Sequence, residues 1–161
     1  MYTFGKEHTT VNDRRHKVLI VDDERTIANT LDLIFSASGY ETRAAYSAEQ
    51  ALEIITGWLP DLAIIDVVLP LMSGIDLAIL LTAQCPACRI LLFSGQSLTA
   101  DLLAEATTKG YTFDILAKPV HPTVLLERAL NLLVANQSKQ AQELGASEVL
   151  RLPEADPLSE T

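Results

Sequence analysis

Cysteine, basic residues and uninterrupted hydrophobic runs are all scarce in this sequence. Only two of its 161 residues are cysteines, so it cannot build the disulfide framework of a small secreted protein. Lysine and arginine number 12 against 21 aspartates and glutamates, which gives a net charge of −9. Because such a surface repels phosphate backbones, we expect no direct binding of nucleic acid.

Signals for export and for membrane insertion are also missing. The first 17 residues, MYTFGKEHTTVNDRRHK, have no apolar core and no small-residue cleavage site, which excludes a signal peptide. The apolar stretch 62–83 is interrupted by two aspartates, a proline and a glycine. An aspartate at mid-bilayer costs roughly 2.5–3.5 kcal/mol, so this stretch is not a membrane span. We expect a cytoplasmic protein with no membrane partner.

The apolar residues that are present, 48% of the chain, are enough for one sizeable core. They concentrate in the middle, which predicts a domain over residues 17–137 behind a polar arm at 1–16. Residues 138–161 are polar and acidic and are interrupted by Gly145, Pro153 and Pro157. We expect this tail to be frayed or disordered.

Within 17–137, short apolar runs alternate with amphipathic helical patterns. The runs lie at 17–21, 40–45, 62–67, 89–93 and 113–117, and the last helix is predicted from Thr123 to about Asn136. Strands that alternate with helices predict an α/β fold whose parallel sheet is covered by helices on both faces.

The predicted strands end in polar residues. Asp22 and Asp23 follow the first strand, Asp66 ends the third, Ser94 follows the fourth and Lys118 follows the fifth. The carboxyl ends of parallel strands share one edge of a sheet, where ligands of open α/β folds bind. We therefore expect three carboxylates, a hydroxyl and an ammonium group to converge there.

This combination suits phosphoryl chemistry with Mg²⁺. Adjacent carboxylates need a cation, and Mg²⁺ prefers one or two carboxylates together with phosphate oxygens and water. An aspartate beside such a metal can attack phosphorus and form an acyl phosphate. Each residue alone also has a simpler explanation: Asp22 and Asp23 as helix caps, Ser94 as a turn residue, Lys118 as a surface lysine. Their common register at the strand ends favours the site.

Four segments carry a family resemblance: VLIVDDE at 18–24, DLAIIDVVLPLMSG at 61–74, ILLFSG at 90–95 and ILAKPV at 115–120. In this order they resemble the response-regulator receiver domain of bacterial two-component signalling, over about residues 17–137. The resemblance implies a flavodoxin-like, doubly wound sheet of five parallel strands in the order 2-1-3-4-5, with helices on both faces.

The resemblance also implies roles for individual residues. Asp66 is then the phosphoacceptor. Asp22, Asp23 and Asp66 hold Mg²⁺ together with the backbone carbonyl of Val68.

Further roles implied by the resemblance concern the switch and the turns. Ser94 is the hydroxyl that turns toward the phosphoryl group, and Lys118 pairs with that group. The bond from Lys118 to Pro119 is a cis peptide. Pro70 and Gly74 form the turn that leads from the phosphoacceptor into the third helix.

One position departs from the family pattern. The family usually has Tyr or Phe three residues before the lysine, where rotation of the ring reports on the switch hydroxyl. Here that position holds Ile115, and Phe113 lies two residues earlier. We expect aromatic rotation not to be the output step, whereas phosphorylation itself is unaffected.

As a function, the resemblance implies a signalling switch that accepts a phosphoryl group from a histidine kinase or a histidine phosphotransfer protein. No catalysis is expected beyond phosphoryl uptake and hydrolysis at Asp66.

The 24 residues after 137 are too few for a second domain, so we expect a stand-alone receiver. Two uses stay open: binding a downstream protein target, or relaying the phosphoryl group. The fourth helix, fifth strand and fifth helix are expected to meet a protein partner or a second copy of the chain.

Two alternatives come from other classes of protein. Cys85 and Cys88 form a C-x-x-C sequence, which can be a redox pair or half of a zinc site. The sequence places them between a helix and a strand, away from a helix start, which favours two partly buried structural thiols. The second alternative is a phosphatase with Asp66 as its nucleophile. Such an enzyme would usually have a second acid two residues after the nucleophile, where this chain has Val68.

Overall fold

The computed structural model describes residues 14–95 and 99–149. Five strands and five helices alternate along these residues: β1 (Lys17–Val21), α1 (Arg25–Ala37), β2 (Glu41–Ala45), α2 (Ala48–Ile55), β3 (Leu62–Asp66), α3 (Gly74–Gln84), β4 (Arg89–Ser94), α4 (Thr99–Thr108), β5 (Asp114–Ala117) and α5 (Pro122–Val149). The predicted alternation is confirmed, and the strand bounds differ from the expected ones by at most one residue.

The five strands form one parallel sheet in the order β2-β1-β3-β4-β5. This confirms the predicted flavodoxin-like, doubly wound α/β fold. The inner strands β1, β3 and β4 are almost entirely buried because both of their faces are covered. The edge strand β2 has the sequence ETRAA and alternates between exposed and half-buried residues before ending in the buried Ala45, as suits a sheet edge.

Each face of the sheet has its own hydrophobic core. Phe35 of α1 and Leu125 and Leu133 of α5 lie on one face with alternate strand residues such as Ile20 and Ile64. The other face is covered by α2, α3 and α4, through residues such as Ala51, Leu77 and Ala106. With both faces covered, the open places on the sheet are its two ends, and the carboxyl end carries the polar residues described below.

The amino ends of α2 and α3 are each capped by the serine that precedes the helix. Ser47 Oγ accepts a hydrogen bond from the Gln50 backbone N–H at 3.2 Å, while the Gln50 side chain accepts the Tyr46 N–H at 2.8 Å. Ser73 Oγ accepts from the Asp76 N–H at 3.0 Å. These caps satisfy backbone donors that have no partner within the helix. A serine followed three residues later by a glutamine, as at Ser47 and Gln50, is a sequence signature of such a cap.

The end of the last helix differs from the prediction. We expected it to stop at about Asn136, but α5 continues to Val149. The prediction takes Gly145 as the interruption of the helix. A glycine inside a helix, however, lowers the stability of the helix by only about 1 kcal/mol relative to alanine. The segment SKQAQEL at 138–144 consists largely of good helix formers, and its residues are exposed. Pro153 and Pro157 lie outside the described residues, and the domain boundaries at 16 and 137 stay predictions.

At the opposite end of the chain, most of the predicted arm, residues 1–13, lies outside the described residues. Arg14 forms an ion pair with Asp61 at 3.2 Å. The His16 carbonyl accepts the Glu41 N–H at 3.0 Å. Among the helices that the structure describes, none is both long and apolar enough to cross a membrane.

Candidate functional site

The carboxyl edge of the sheet brings three aspartates together. Asp22 directly follows β1 and Asp66 ends β3, and these strands are paired in parallel with Val21 beside Ile65. Asp22 is 1% exposed and Asp66 is 8% exposed, whereas Asp23 faces solvent. One carboxylate oxygen from each of the three lies within 4.8 Å of the others. The strand ends therefore meet as the sequence predicts.

Backbone N–H groups hold the two buried carboxylates in place. The Glu24 N–H donates to Asp22 Oδ1 at 2.9 Å, and the Val68 N–H donates to Asp66 Oδ1 at 3.1 Å. Burial raises the pKa of Asp22, against the lowering effects of the Glu24 N–H and the Lys118 charge. The nearby Asp66 charge adds to the rise. Such crowding of buried negative charge is costly unless a cation is present.

Lys118 supplies a positive charge from the end of β5. Its Nζ lies 3.0 Å from Asp66 Oδ2 and 3.3 Å from Asp22 Oδ2. Burial acts to lower the pKa of Lys118, but the hydrogen bonds and charges of the two aspartates outweigh it, so the pKa is raised. The peptide bond from Lys118 to Pro119 is cis, as expected.

Lys118 also has a neighbour that the sequence did not indicate. Its Nζ lies 4.8 Å from the centre of the Phe93 ring, within range of a cation–π contact. Phe93 immediately precedes Ser94 on β4, and the strand pattern alone describes it only as a core residue. The contact depends on how β5 leads into the segment after Ala117, which periodicity does not report.

The turn from Asp66 into α3 requires glycine at its end. A Cβ on Gly74 would lie 1.9 Å from the Asp66 carbonyl oxygen, so the side chain of any other residue would collide with the backbone there. The Gly74 N–H donates to the Val67 carbonyl at 2.8 Å. Within this turn, Leu71 has a φ of 68° and is 97% exposed. A leucine with positive φ is uncommon, and nothing in the sequence pattern pointed to it.

Two further predicted site residues, Ser94 and Ile115, lie on neighbouring strands. Ser94 ends β4 beside Ala117, is 5% exposed, and its carbonyl accepts the Lys118 N–H at 2.7 Å. Ile115 lies in β5 opposite Leu92 and is half-buried against the core under α3 and α4. Their roles in switching stay predictions, as does the carbonyl of Val68 as a metal ligand.

Comparison with known sequences decides the family. The pattern of the response regulator receiver domain matches residues 18–130. The chain belongs to this family. Receiver domains of two-component systems generally bind Mg²⁺ through an acidic pocket, and the carboxylates of Asp22, Asp23 and Asp66 provide the oxygen donors for such an ion.

Individual relatives agree with this assignment. The Regulator of RpoS from Escherichia coli K12 is 36% identical over 104 residues, which are 65% of this chain and 30% of that protein. The DNA-binding response regulator MtrA from Mycobacterium tuberculosis H37Rv is 28% identical over 135 residues, 84% of this chain. The chain thus spans only 58% of the length of MtrA.

Solved structures share the fold closely. A CheY-like receiver domain from Methanospirillum hungatei JF-1 is 26% identical with a TM-score of 0.72, covering 78% of this chain and 99% of that one. The receiver domain of an HD domain-containing protein from Pseudomonas fluorescens Pf-5 is 30% identical, with the same TM-score and coverage.

The structure does not bring the two cysteines to this site. Cys85 caps the carboxyl end of α3 and Cys88 precedes β4, so both lie at the amino edge of the sheet. Both are free thiols and buried. The alternative of a thiol redox function therefore concerns a different part of the receiver domain.

Proposed function

We propose that this receiver domain accepts a phosphoryl group from a phosphohistidine donor onto Asp66, with Mg²⁺ held by Asp22, Asp23 and Asp66. One observation carries the proposal: the buried carboxylate of Asp66 is paired to Lys118 at 3.0 Å within a cluster of three aspartates. A bound Mg²⁺ would supply positive charge to the phosphoryl oxygens. This proposal places the domain in the cytoplasm, with a histidine kinase or a histidine phosphotransfer protein as donor.

Asp66 is the nucleophile in this proposal. One of its oxygens attacks phosphorus, the bond from phosphorus to the donor histidine nitrogen breaks, and an acyl phosphate forms. The Val68 N–H fixes Oδ1 of the carboxylate at 3.1 Å and so limits its rotation. Lys118 moves its ammonium group from Asp66 Oδ2 to a phosphoryl oxygen, where charge accumulates. No catalysis on other molecules is part of the proposal.

The donor domain docks, in this proposal, on an apolar groove beside Lys118. The groove has a volume of about 350 Å³ and lies between α1 and the segment 118–122. Its lining is mostly apolar, with Ile27, Leu31 and Val120 among the residues. Because Lys118 lies at the groove, a helix seated there would present its histidine to Asp66.

Phosphoryl transfer from a phosphorylated histidine phosphotransfer domain tests both Asp66 as the phosphoacceptor and the groove as the docking site. Asp66→Asn is expected to abolish labelling from the protein donor and from a small phosphodonor. Thr30→Asp puts a charge in the groove and is expected to slow transfer from the protein donor only. Thr107→Asp is the matched control, because Thr107 on α4 makes the same hydroxyl bond to the carbonyl four residues earlier. Equal transfer to all three variants contradicts the proposal.

The lifetime of the acyl phosphate separates the two uses of the domain. A downstream protein target needs a state that persists long enough to be bound, whereas a relay passes the group on quickly. A homodimer through α4, β5 and α5 stays a prediction, which sedimentation with and without a phosphoryl mimic would check.

A further inference from the structure

The turn between α3 and β4 holds two thiols close together. The Cys88 N–H donates to the Cys85 carbonyl at 3.0 Å, which closes a four-residue turn through Pro86 and Ala87. A turn of this kind brings its first and last Cα atoms within about 7 Å. Disulfides need a Cα separation of about 4.4–6.8 Å. The Cα separation in such a turn is therefore compatible with a disulfide between Cys85 and Cys88.

The two thiols are chemically unequal. A hydrogen bond from the Cys88 side chain lowers the pKa of Cys85 to about 7, against burial and the Asp61 charge. The same hydrogen bond, burial and nearby negative charge raise the pKa of Cys88. Cys85 is therefore the more acidic of the two thiols. Such a pair provides one thiol that attacks first and a second thiol that can attack the resulting mixed disulfide.

Both thiols are buried, and a surface cavity opens beside Cys88. Cys88 lines a surface cavity of about 300 Å³, together with residues such as Thr82, Tyr111 and Asn136. The two residues between the cysteines, Pro86 and Ala87, are exposed. Each sulfur lies near a backbone carbonyl: Cys85 Sγ is 3.7 Å from the Pro60 oxygen and Cys88 Sγ is 3.3 Å from the Arg89 oxygen. Both residues are buried members of the core on the sheet face that α2, α3 and α4 cover, and they lie at the amino edge of the sheet.

We propose that Cys85 and Cys88 are a redox-active dithiol that a small-molecule disulfide oxidises to an intramolecular disulfide. The Cys85 thiolate attacks one sulfur of the small disulfide, whose S–S bond breaks, and the released thiolate takes up a proton. Cys88 then loses its proton to solvent and attacks Cys85 of the mixed disulfide, which releases the second small thiol. The pair loses two electrons and two protons, and the small disulfide takes up two electrons and two protons to become two thiols.

This chemistry is independent of the phosphoryl site, which lies at the carboxyl edge of the sheet. The cysteine turn lies at the amino edge, where Asn136 Nδ2 of α5 donates to the Ala87 carbonyl at 2.8 Å. Failure of the thiol experiment thus leaves the proposed phosphorylation unaffected, and the reverse also holds.

The test uses the reduced full chain and glutathione disulfide at pH 7. After acid quenching, denaturation and alkylation with N-ethylmaleimide, mass spectrometry counts the free thiols. The wild type is expected to lose two hydrogens, to carry no glutathione and to take up no maleimide. Two free thiols, a lasting glutathione adduct or a disulfide between two chains would overturn the proposal.

Two single variants separate the roles of the thiols. Cys88→Ser is expected to keep a glutathione adduct on Cys85, because the second attack is removed. Cys85→Ser is expected to form an adduct at least about fivefold more slowly, since the more acidic thiol is lost. Equal rates for the two variants would contradict the assignment of Cys85 as nucleophile. If a variant does not fold, the pH dependence of iodoacetamide labelling in the wild type tests the same assignment. One thiol is expected to titrate near pH 7. Labelling that begins only at the pH of ordinary thiols would contradict the assignment.

Discussion

Replacing Lys118 with methionine should destabilise the receiver domain in the absence of metal. The lysine nitrogen lies 3.0 Å from Asp66 and 3.3 Å from Asp22, and both carboxylates are more than 90% buried. Removing one partner of a buried ion pair costs about 3–5 kcal/mol, because an uncompensated charge remains. Lys118 keeps 20% of its own side chain exposed, so we expect about 3 kcal/mol, the lower end of that range.

The loss should depend on pH in a defined direction. Burial raises the pKa of Asp22, and Lys118 acts to lower it, so removing the lysine raises this pKa further. A carboxyl whose pKa is higher in the folded than in the unfolded chain stabilises the fold below the unfolded pKa, and this stability is lost as the pH rises through the folded pKa. The variant should therefore be close to wild type near pH 4 and fall behind it toward neutral pH.

Urea unfolding followed by circular dichroism, with EDTA present, measures both effects. Lys109→Met is the control, because Lys109 is an exposed lysine paired with Glu105 one helical turn away, and no resolvable change is expected. Added Mg²⁺ should recover part of the stability lost in the Lys118 variant, since it restores positive charge beside the carboxylates. A Lys118→Met loss below about 1 kcal/mol at neutral pH, or a loss that does not change with pH, would refute the reasoning.

Three further predictions concern the turn, the switch and the surface. Gly74→Ala should lower the free energy of unfolding by more than about 2 kcal/mol, because its Cβ would meet the Asp66 carbonyl; Gly57→Ala, whose Cβ meets no atom within 4 Å, is the control, and an equal effect of the two contradicts the clash. Because Ile115 has no ring, a phosphoryl mimic should produce small backbone chemical-shift changes across α4 and β5, and changes as large as in relatives with an aromatic residue there would count against this. At physiological salt, fluorescence anisotropy should detect no micromolar binding of DNA by the phosphorylated chain, given its net charge of −9; binding at that strength would show the expectation to be wrong.

The fold and the acidic site could be predicted because both depend on local patterns. Apolar runs such as VLIV, at 18–21, mark buried parallel strands, and whatever follows such a strand lies at the edge where ligands bind. The same reasoning predicts that Asp22, Asp66 and Lys118 lie close together, as they do in the structure. The cap at Ser47 depends on a local pattern too, since its partner Gln50 is only three residues away.

Other features depend on contacts or energies that the sequence pattern does not carry. The predicted end of the last helix, near Asn136, is wrong. A glycine such as Gly145 destabilises a helix only slightly, and the good helix formers around it let α5 continue to Val149. The approach of Lys118 to the Phe93 ring depends on how two strand ends are juxtaposed. The positive φ of Leu71 arises from the tight turn that Gly74 closes on the Asp66 backbone. The unequal acidity of Cys85 and Cys88 needs the geometry of their turn.

The most direct test of the central claim is to locate the phosphoryl group. The full chain is incubated with a small phosphodonor and Mg²⁺, and mass spectrometry then maps the modified peptide. One phosphoryl group is expected on Asp66 in the wild type and in Asp61→Asn, a change at the opposite end of β3. None is expected in Asp66→Asn or when EDTA replaces Mg²⁺. Undiminished labelling of Asp66→Asn, or a phosphoryl group found on another residue, would contradict the account.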